Sequence, residues 1–338
     1  MTESLTTHLA QAFASRETLV SQLLAEKTDA YRLFHGIAEG HSGLTVDRYG
    51  DLLLVQCFHS PLTPESLAEL SAFYAEKLPD LAMVYNDRSQ AHSRISNTLS
   101  GEQLDIASAP REAHEMGVTY RIQGRHAGQD PWLLLDLRAA RRRIMQEIPG
   151  KSLLNLFAYT GSVGIAAAKA GAQFVMNVDF SEPNLKIGKE NARYNTLAVR
   201  PRFIKSDAFA AMRQLSGLGQ AEFVRGKRMP PFPKLEAKTF DCVFLDPPGY
   251  AKSPFGVVDL VNDYASVFKP ALLCTTEGGT LICTNRVATV SREAWLDQLQ
   301  RSAAKAGRPI REFEWIFPET DFPGIGGEPA LNMLLLRV

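Results

Sequence analysis

The chain has 338 residues, which at roughly 150 residues per domain predicts two domains. Hydrophobic residues make up 45% and charged residues 22%, as in an ordinary soluble globular protein, and the longest apolar runs are too short to span a bilayer. Lysine plus arginine and aspartate plus glutamate number 37 each, so any contact with nucleic acid must come from a local basic patch.

The N-terminus has no basic leader before an apolar stretch, and the four cysteines form no CxxC pair and lack a histidine at zinc-ligand spacing. We therefore expect a cytoplasmic protein with buried, reduced thiols, no metal site and no membrane contact. The cysteines are Cys57, Cys242, Cys274 and Cys283.

The first part of the chain predicts a small α/β domain behind an N-terminal helix. Residues 1–30 carry the apolar stripe of one amphipathic helix. Further elements are predicted by alternating apolar residues, by turn residues and by a helix start that has a capping threonine before a proline at the first helical position. These are strands at 44–47 and 52–55, a helix ending at Leu78, and a strand at 81–85. The predicted domains are residues 1–30, 31–112 and 113–338.

In the third predicted domain, a hairpin (118–122 with 132–135) and an arginine-rich helix at 137–147 precede short apolar strands that alternate with helices. Continuous hydrophobicity in the middle strands favours a parallel sheet covered on both faces. The glycines and prolines of 216–238 predict a surface loop. The strands are predicted at 152–157, 174–178, 202–205, 240–245, 280–283, 312–317 and 331–338.

Four of these strands end in residues that suit a nucleotide-like ligand, which binds beyond the carboxyl ends of a doubly wound sheet. Gly161 and Gly164 permit a tight turn and close approach of a ligand to the backbone. Asp179 can accept both hydroxyls of a ribose, and Asp207 can accept from an adenine amino group. The fourth strand ends in Asp246-Pro247-Pro248-Gly249-Tyr250.

Each of these signals is weak alone, since a strand-end glycine is often only a turn and a strand-end acid is often a helix cap. The sequence has neither G-x-G-x-x-G nor G-x-x-x-x-G-K-[ST], which argues against an NAD site and a P-loop. A cofactor with adenosine but no pyrophosphate fits better. We therefore expect S-adenosylmethionine.

Several stretches carry a family resemblance over residues 30–338. They are LLNLFAYTGSVGIAAAKAGA, VDFSEPNLKIGKENARYN and FDCVFLDPPGYAKS, with GLTVDRYGD and GQDPWLLLDLRAARR upstream. The chain resembles the class I S-adenosylmethionine-dependent methyltransferases that modify large-subunit ribosomal RNA. Residues 1–30 do not resemble the small RNA-binding module that many relatives carry. The resemblance implies an α/β fold: a seven-stranded Rossmann-like sheet with its last strand antiparallel, beside a smaller N-terminal α/β domain.

The resemblance also implies cofactor contacts at the strand ends, and we expect the neighbouring residues to line the same site. The implied contacts are Tyr159, Gly161, Asp179, Ser181, Asp207 and, at the active edge, Asp246. The neighbours are Phe157, Thr160, Phe180 and Ala208.

The target atom decides which catalytic residues are needed, and the candidates are Asp246, Pro247, Pro248 and Tyr250. For an exocyclic amine, Asp246 and the Pro247 carbonyl can accept its hydrogens. Guanine N7 presents a lone pair and needs only to be held in place, for example by stacking on Tyr250. Cytosine C5 needs a thiolate that adds at C6.

The position of the cysteines weighs against cytosine C5. Relatives that make 5-methylcytosine have a cysteine in the loop after the fifth strand, whereas here Cys283 lies inside the strand, Asn285-Arg286 occupy the loop and Gly249 follows the two prolines. We therefore favour guanine N7 or another ring or exocyclic nitrogen. The alternatives are a 5-methylcytosine methyltransferase with a cysteine nucleophile, a methyltransferase for a small molecule or protein, and a non-catalytic cofactor-binding ribosome-assembly factor.

Two basic clusters are candidates for phosphate contacts, which give affinity without sequence information. They are Arg138, Arg141 and Arg142 in the arginine-rich helix, and Arg225, Lys227 and Arg228 in the proline-rich loop. The family resemblance implies as an alternative that Arg138 pairs with Asp136 or covers the carboxylate of the cofactor. The expected substrate is 23S ribosomal RNA, free or in a large-subunit assembly particle, and a strand edge in the first domain can pair two chains into a homodimer.

Overall fold

The structure, a computed structural model, describes residues 4–90, 99–125, 131–220, 222–224, 226–229, 231–253, 256–287, 289–326 and 328–338. Its contacts divide the chain into a first unit, Met1–Arg138 with Pro318–Ala330, and a second unit, Ala139–Phe317 with Leu331–Val338. The boundary predicted at residue 112 falls inside a strand of the first unit, Arg111–Glu115.

The first unit contains a four-stranded sheet in the order β1-β2-β3-β4, in which only the pair β3 and β4 is parallel, and a separate hairpin of β5 and β6. A short 3-10 helix at Leu135–Leu137 ends this part of the chain. The elements are α1 Leu5–Ser15, α2 Glu17–Ala25, β1 Ala30–His35, β2 Leu44–Tyr49, β3 Leu52–Cys57, α3 Pro64–Lys77, β4 Ala82–Asp87, α4 Gly101–Ser108, β5 Arg111–Glu115 and β6 Val118–Ile122.

The single helix predicted for residues 1–30 is wrong, because the chain forms two helices that separate at Arg16. The Arg16 side chain turns back to donate to the carbonyl of Ala12 at 2.9 Å and pairs with Glu39 at 2.5 Å. Leu9 of α1 and Leu23 of α2 are buried in the same core as the strands. The break therefore lets two short helices cover one sheet.

The hairpin predicted between 118–122 and 132–135 is also wrong. β6 pairs with β5 instead, through a two-residue turn at Met116-Gly117 in which both φ angles are positive, 49° and 71°. Two positive φ values are the signature of the type I′ turn that joins tightly paired strands. Residues 132–134 form no strand and lead into the 3-10 helix.

The second unit is built on alternating strands and helices, and α5 begins at Arg138, the last residue of the first segment of the first unit. Its elements are α5 Arg138–Glu147, β7 Ser152–Leu156, α6 Ser162–Lys169, β8 Phe174–Asp179, α7 Glu182–Tyr194, β9 Arg202–Lys205, α8 Ala208–Leu215, β10 Phe223–Val224, β11 Lys227–Arg228, β12 Phe240–Leu245, β13 Tyr250–Ser253, β14 Gly256–Asp259, α9 Ala265–Leu273, β15 Thr275–Asn285, α10 Arg292–Lys305, β16 Glu312–Ile316 and β17 Asn332–Arg337.

Seven of these strands form one sheet in the order β16-β17-β15-β12-β7-β8-β9. β17 is antiparallel to both neighbours, while the pairs from β15 to β9 are parallel. This confirms the predicted α/β class with a smaller N-terminal α/β part. The loop predicted at 216–238 carries the short hairpin of β10 and β11. In the described part of the chain no helix has both the length and the apolarity to cross a bilayer.

The core of the second unit lies between the sheet and α8, α9 and α10. Leu154, Val243, Leu281 and Leu334 line one face of adjacent strands and are all fully buried. Trp295 of α10 packs against this face and is 1% exposed. Because this core fixes the strands relative to one another, it also fixes the loops at their ends.

Candidate functional site

The predicted site residues follow neighbouring parallel strands whose carboxyl ends lie at the same edge of the sheet. Leu156, the last residue of β7, pairs in register with Val178 of β8 and with Leu245 of β12, and Leu245 pairs with Cys283 of β15. Asp179 pairs with Lys205 at the end of β9. The sheet therefore aligns the ends of five strands, as the sequence predicted for four of them.

The loop between β7 and α6 has an unusual backbone. Phe157, Tyr159 and Gly161 have φ angles of 57°, 52° and 71°, and this left-handed region is rare for bulky side chains. The backbone N–H of Tyr159 donates to Oδ2 of Asp179 at 2.8 Å. Backbone strain of this kind persists only where the surroundings hold it, and it is concentrated at functional sites.

Asp179 organises two loops with one carboxylate. Its side chain accepts from the N–H of Tyr159 through Oδ2 and from the N–H of Ser181 through Oδ1, each at 2.8 Å. Burial raises the pKa of Asp179 although these backbone hydrogen bonds lower it. The N–H of Phe180 also interacts with this carboxylate, and because a carboxylate has about four acceptor positions, acceptor capacity remains beside these backbone donors. Beside it, the Phe180 side chain is 73% exposed.

Asp207 caps helix α8, which is the alternative that the sequence left open. Its Oδ1 accepts from the backbone N–H of Phe209 at 2.9 Å and of Ala210 at 3.2 Å. Burial raises the pKa of Asp207 above its ordinary value of 3.8. Both capping bonds end on Oδ1, so within the described residues Oδ2 accepts no hydrogen bond. Helix capping and ligand binding are therefore compatible at this residue.

Gly161 before α6 and Gly164 in its first turn have a packing role that the sequence did not predict. A Cβ at Gly164 would lie 2.1 Å from Oδ1 of Asn177, and a Cβ at Gly161 would lie 2.8 Å from Cε1 of Phe203. Asn155 and Asn177 are buried register partners, and Nδ2 of Asn155 donates to Oδ1 of Asn177 at 2.8 Å. The glycines thus allow α6 to approach the sheet. Two asparagines in otherwise apolar strands were the signal for this pair.

The remaining predicted cofactor residues lie in the same loops. Thr160 is fully buried, Ala208 is 6% exposed at the start of α8, and Phe157 is half-buried against the core. Ser181 caps α7 by accepting from the N–H of Asn184 at 3.4 Å. The structure therefore brings the predicted cofactor residues together at one sheet edge.

Asp246 directly follows β12 and is held by Thr284 near the end of β15 and by Arg286 just after it. The hydroxyl of Thr284 donates to Oδ1, and Nη2 of Arg286 donates to Oδ2 at 3.3 Å. The side chains of Asp246 and Arg286 are 10% and 29% exposed. Pro247 is buried and Pro248 is half-buried, while the side chain of Tyr250 lies outside the described residues. Arg286 was predicted in the loop after β15, but its contact with Asp246 was not predicted.

Cys283 is fully buried inside β15. Burial raises the pKa of its thiol well above the ordinary value of 9.0. Successive residues of a strand point to opposite faces, so Cys283 faces away from the side on which Thr284 meets Asp246. A nucleophilic cysteine needs an accessible thiolate, and this environment disfavours one.

The structure does not support two of the predicted RNA contacts. Arg138 is 1% exposed, and its guanidinium donates to Glu319 at 2.7 Å, to Asp321 at 2.5 Å and to the carbonyl of Ala30 at 3.0 Å. Arg141 is fully buried. The charge of Arg138 therefore serves internal contacts, and the burial of Arg141 removes it from a surface patch.

The other predicted RNA contacts remain predictions. The Arg142 side chain is half-buried, and the Arg228 side chain is exposed on β11. The side chain of Lys227 and the whole of Arg225 lie outside the described residues.

A family model for S-adenosylmethionine-dependent methyltransferases matches residues 31–337. The chain belongs to this family. It is an S-adenosylmethionine-dependent methyltransferase, and S-adenosylmethionine is its cofactor, as the sequence predicted.

Relatives and solved structures agree with this assignment. The chain is 26% identical to Ribosomal RNA large subunit methyltransferase I of Enterobacter sp. (strain 638), over 96% of this chain and 77% of that protein. The protein of the same name from Shigella flexneri serotype 5b is also 26% identical, over 94% and 78%. A SAM-dependent methyltransferase from Streptococcus mutans matches with a TM-score of 0.76 and 20% identity, over 100% of this chain and 83% of that chain. A methyltransferase structure complexed with SAH matches with a TM-score of 0.78 and 21% identity, over 100% and 83%. At these identities the solved structures show a shared fold.

Proposed function

We propose that this methyltransferase acts on a nitrogen of an RNA base, in 23S ribosomal RNA. Two relatives that cover nearly the whole chain are named for methylation of large-subunit ribosomal RNA, which supports the substrate class. One observation carries the choice of nitrogen: the Asp246 carboxylate lies at the strand edge with donors on both oxygens, while Cys283 is buried and faces the other way.

The strand-end residues fit the adenosine part of the cofactor. Asp179 retains acceptor capacity beside its backbone donors, which suits the hydroxyls of a ribose, and Oδ2 of Asp207 suits an adenine amino group. The exposed ring of Phe180 offers an apolar surface for the adenine. Tyr159 and Gly161 present a pre-formed loop to the ligand. Bound at this edge, S-adenosylmethionine supplies a methyl group on a positively charged sulfur.

Asp246, Pro247, Pro248 and Tyr250 hold the target base in this proposal. An acceptor-only carboxylate and a carbonyl are suited to an N–H donor, and an aromatic ring is suited to stacking on a base taken out of its helix. Transfer to C5 of a cytosine would need a thiolate beside the base, and Cys283 does not offer one.

The RNA backbone is bound outside this edge by basic residues. Arg142 and the loop residues Arg225, Lys227 and Arg228 are the proposed phosphate contacts. Contacts of this kind make the affinity fall steeply as the salt concentration rises. We further propose that the reaction takes place in the cytoplasm, on free RNA or on a large-subunit assembly particle, and that an edge strand of the β1–β4 sheet supports a homodimer.

The proposal is tested by methyl transfer to ribosomal RNA extracted from cells that lack the protein, with radiolabelled S-adenosylmethionine as the donor. Mass spectrometry of nuclease digests then identifies the methylated base. We expect label in large-subunit RNA and a methylated nitrogen. Label in protein or small molecules only would overturn the substrate class, and 5-methylcytosine would overturn the choice of nitrogen.

A further inference from the structure

We propose that Thr284 and Arg286 are positioning residues that fix the orientation of the Asp246 carboxylate, so that it accepts a hydrogen bond from an N–H group of the target base. The proposal rests on the proposed function of Asp246 and adds two residues and a requirement on the substrate. Both residues belong to the end of β15 and its following loop.

The hydrogen bond from Thr284 to Asp246 involves a fully buried donor residue. Leu245 and Cys283 are register partners, so Asp246 and Thr284 are the next residues along two adjacent strands. Thr284 is fully buried, and its hydroxyl donates to Oδ1 of Asp246. The fully buried Tyr264, just before α9, donates its hydroxyl to the Thr284 carbonyl at 2.7 Å. A helix start, a strand end and the carboxylate are thereby linked by hydrogen bonds.

Arg286 supplies the second donor from the solvent side. Its Nη2 lies 3.3 Å from Oδ2 of Asp246, and its side chain is 29% exposed where that of Asp246 is 10% exposed. A carboxylate that is hydrogen-bonded through only one oxygen can still rotate about the Cβ–Cγ bond of the aspartate. Donors of different residues on Oδ1 and Oδ2 oppose that rotation, and the guanidinium keeps its charge throughout the pH range of the protein.

The arrangement selects the kind of atom that can approach. A carboxylate whose two oxygens are already hydrogen-bonded to donors can only accept further hydrogens. An amino or imino N–H of a base satisfies it, whereas a ring nitrogen with a bare lone pair turned toward it would be repelled. The N–H group of the base that Asp246 meets therefore orients the base relative to the methyl donor.

The test separates orientation from binding. Thr284→Val removes the hydroxyl at nearly constant shape, Thr284→Ser keeps it, and Arg286→Gln removes the charge. With extracted ribosomal RNA as the substrate, we expect kcat to fall roughly 10-fold to 100-fold in Thr284→Val and Arg286→Gln, and to stay within about threefold in Thr284→Ser, because orientation matters mostly in the transition state. Arg301→Gln is the control, since Arg301 forms an exposed i,i+4 pair with Asp297.

Three further measurements distinguish positioning from a merely structural role. Calorimetric affinity for S-adenosylmethionine, KM for the RNA and the melting temperature should each stay close to wild type in Thr284→Val and Arg286→Gln. Guanidinium ions added at millimolar concentration, well below denaturing levels, should restore part of the kcat of Arg286→Ala and leave Arg301→Ala unchanged.

The outcomes are distinguishable. Wild-type kcat in both Thr284→Val and Arg286→Gln overturns the positioning roles, as does a loss that appears only in cofactor affinity or KM. If Thr284→Val does not fold, the rescue of Arg286→Ala by guanidinium decides: rescue supports the proposal and its absence overturns it. A wild-type protein that transfers no methyl group to ribosomal RNA contradicts the proposed function itself, before any variant is compared.

Discussion

Tyr159 and Asp179 are joined by a 2.8 Å hydrogen bond from a backbone N–H to a carboxylate oxygen, and this bond ties the left-handed loop after β7 to the end of β8. The same carboxylate receives the N–H of Ser181. One side chain therefore sets the shape of two loops, and in the proposed function its remaining acceptor capacity binds the ribose of the cofactor. Cofactor affinity and loop order should depend on the same residue.

Replacing Asp179 with Asn tests this directly. The amide keeps the shape but presents an NH2 group where the carboxylate accepted a backbone N–H, and it also loses acceptor positions for the ribose. We expect the calorimetric affinity for S-adenosylmethionine to fall roughly 10-fold to 100-fold, about 1.4 to 2.8 kcal/mol. Asp297→Asn, on the exposed face of α10, is the control. Unchanged affinity in Asp179→Asn would remove this residue from the site.

The affinity for S-adenosylmethionine should also depend on pH, and it should fall as the pH is lowered because Asp179 is buried. Burial raises the pKa of Asp179 above its ordinary value of 3.8, so the side chain takes up a proton at a higher pH than a free aspartate does. The protonated oxygen is a poorer acceptor for a ribose hydroxyl. Affinity should therefore begin to fall while the pH is still above 3.8, and the fall should be shallower in Asp179→Asn. A flat calorimetric profile down to pH 3.8 in a protein that stays folded would contradict this prediction.

Cys283→Ala should leave catalysis nearly intact. Because the thiol is buried in β15 with a raised pKa, we expect kcat on ribosomal RNA within about threefold of wild type and a loss of about 1 kcal/mol in the free energy of unfolding. Removing a true nucleophile costs on the order of a thousandfold or more. A loss of that size, with Cys57→Ala unaffected, would restore the 5-methylcytosine alternative.

Alanine variants of Arg138 and Arg228 should have different effects: the first should lower the free energy of unfolding, and the second should weaken RNA binding. Arg138→Ala leaves Asp321, which is 1% exposed, without its cation, and breaking such a buried pair costs about 3 to 5 kcal/mol in the free energy of unfolding. Arg228→Ala should change stability by less than about 0.5 kcal/mol but reduce the salt dependence of RNA binding by about one counterion. Urea unfolding and filter binding at several salt concentrations measure the two effects. The reverse pattern would contradict both assignments.

Much of the sheet was predictable because its signal is local. Short runs with apolar residues, followed by acids and turn residues, predicted the observed limits of β9 and β12, and the predicted acids do follow the ends of neighbouring parallel strands. The β5–β6 hairpin was not predictable in this way, since a Met-Gly turn lacks the Asn-Gly or Asp-Gly signal of its type.

Contacts between distant parts of the sequence were beyond local patterns. Four arginines in one helix suggest a basic surface patch. The carboxylates that pair with the buried Arg138, those of Glu319 and Asp321, lie 181 and 183 positions away in the sequence. The hydroxyl group that donates to the Asp246 carboxylate belongs to Thr284, 38 positions away in the neighbouring strand. A residue type and its local pattern indicate a chemical capability, whereas the partner that directs it depends on how the strands pair.

Gly164→Ala tests whether the glycine in the first turn of α6 serves packing. The added Cβ would lie 2.1 Å from Oδ1 of Asn177, which cannot move freely because Asn155 donates to it. We expect the free energy of unfolding to fall by about 1 to 3 kcal/mol, as for other overpacked core sites. Gly249→Ala is the control, since among the described residues a Cβ there meets nothing within 4 Å. Asn177→Ala in the Gly164→Ala background should recover part of the loss if the clash is its cause, and a neutral Gly164→Ala in urea unfolding would show that α6 can shift away from the sheet without cost.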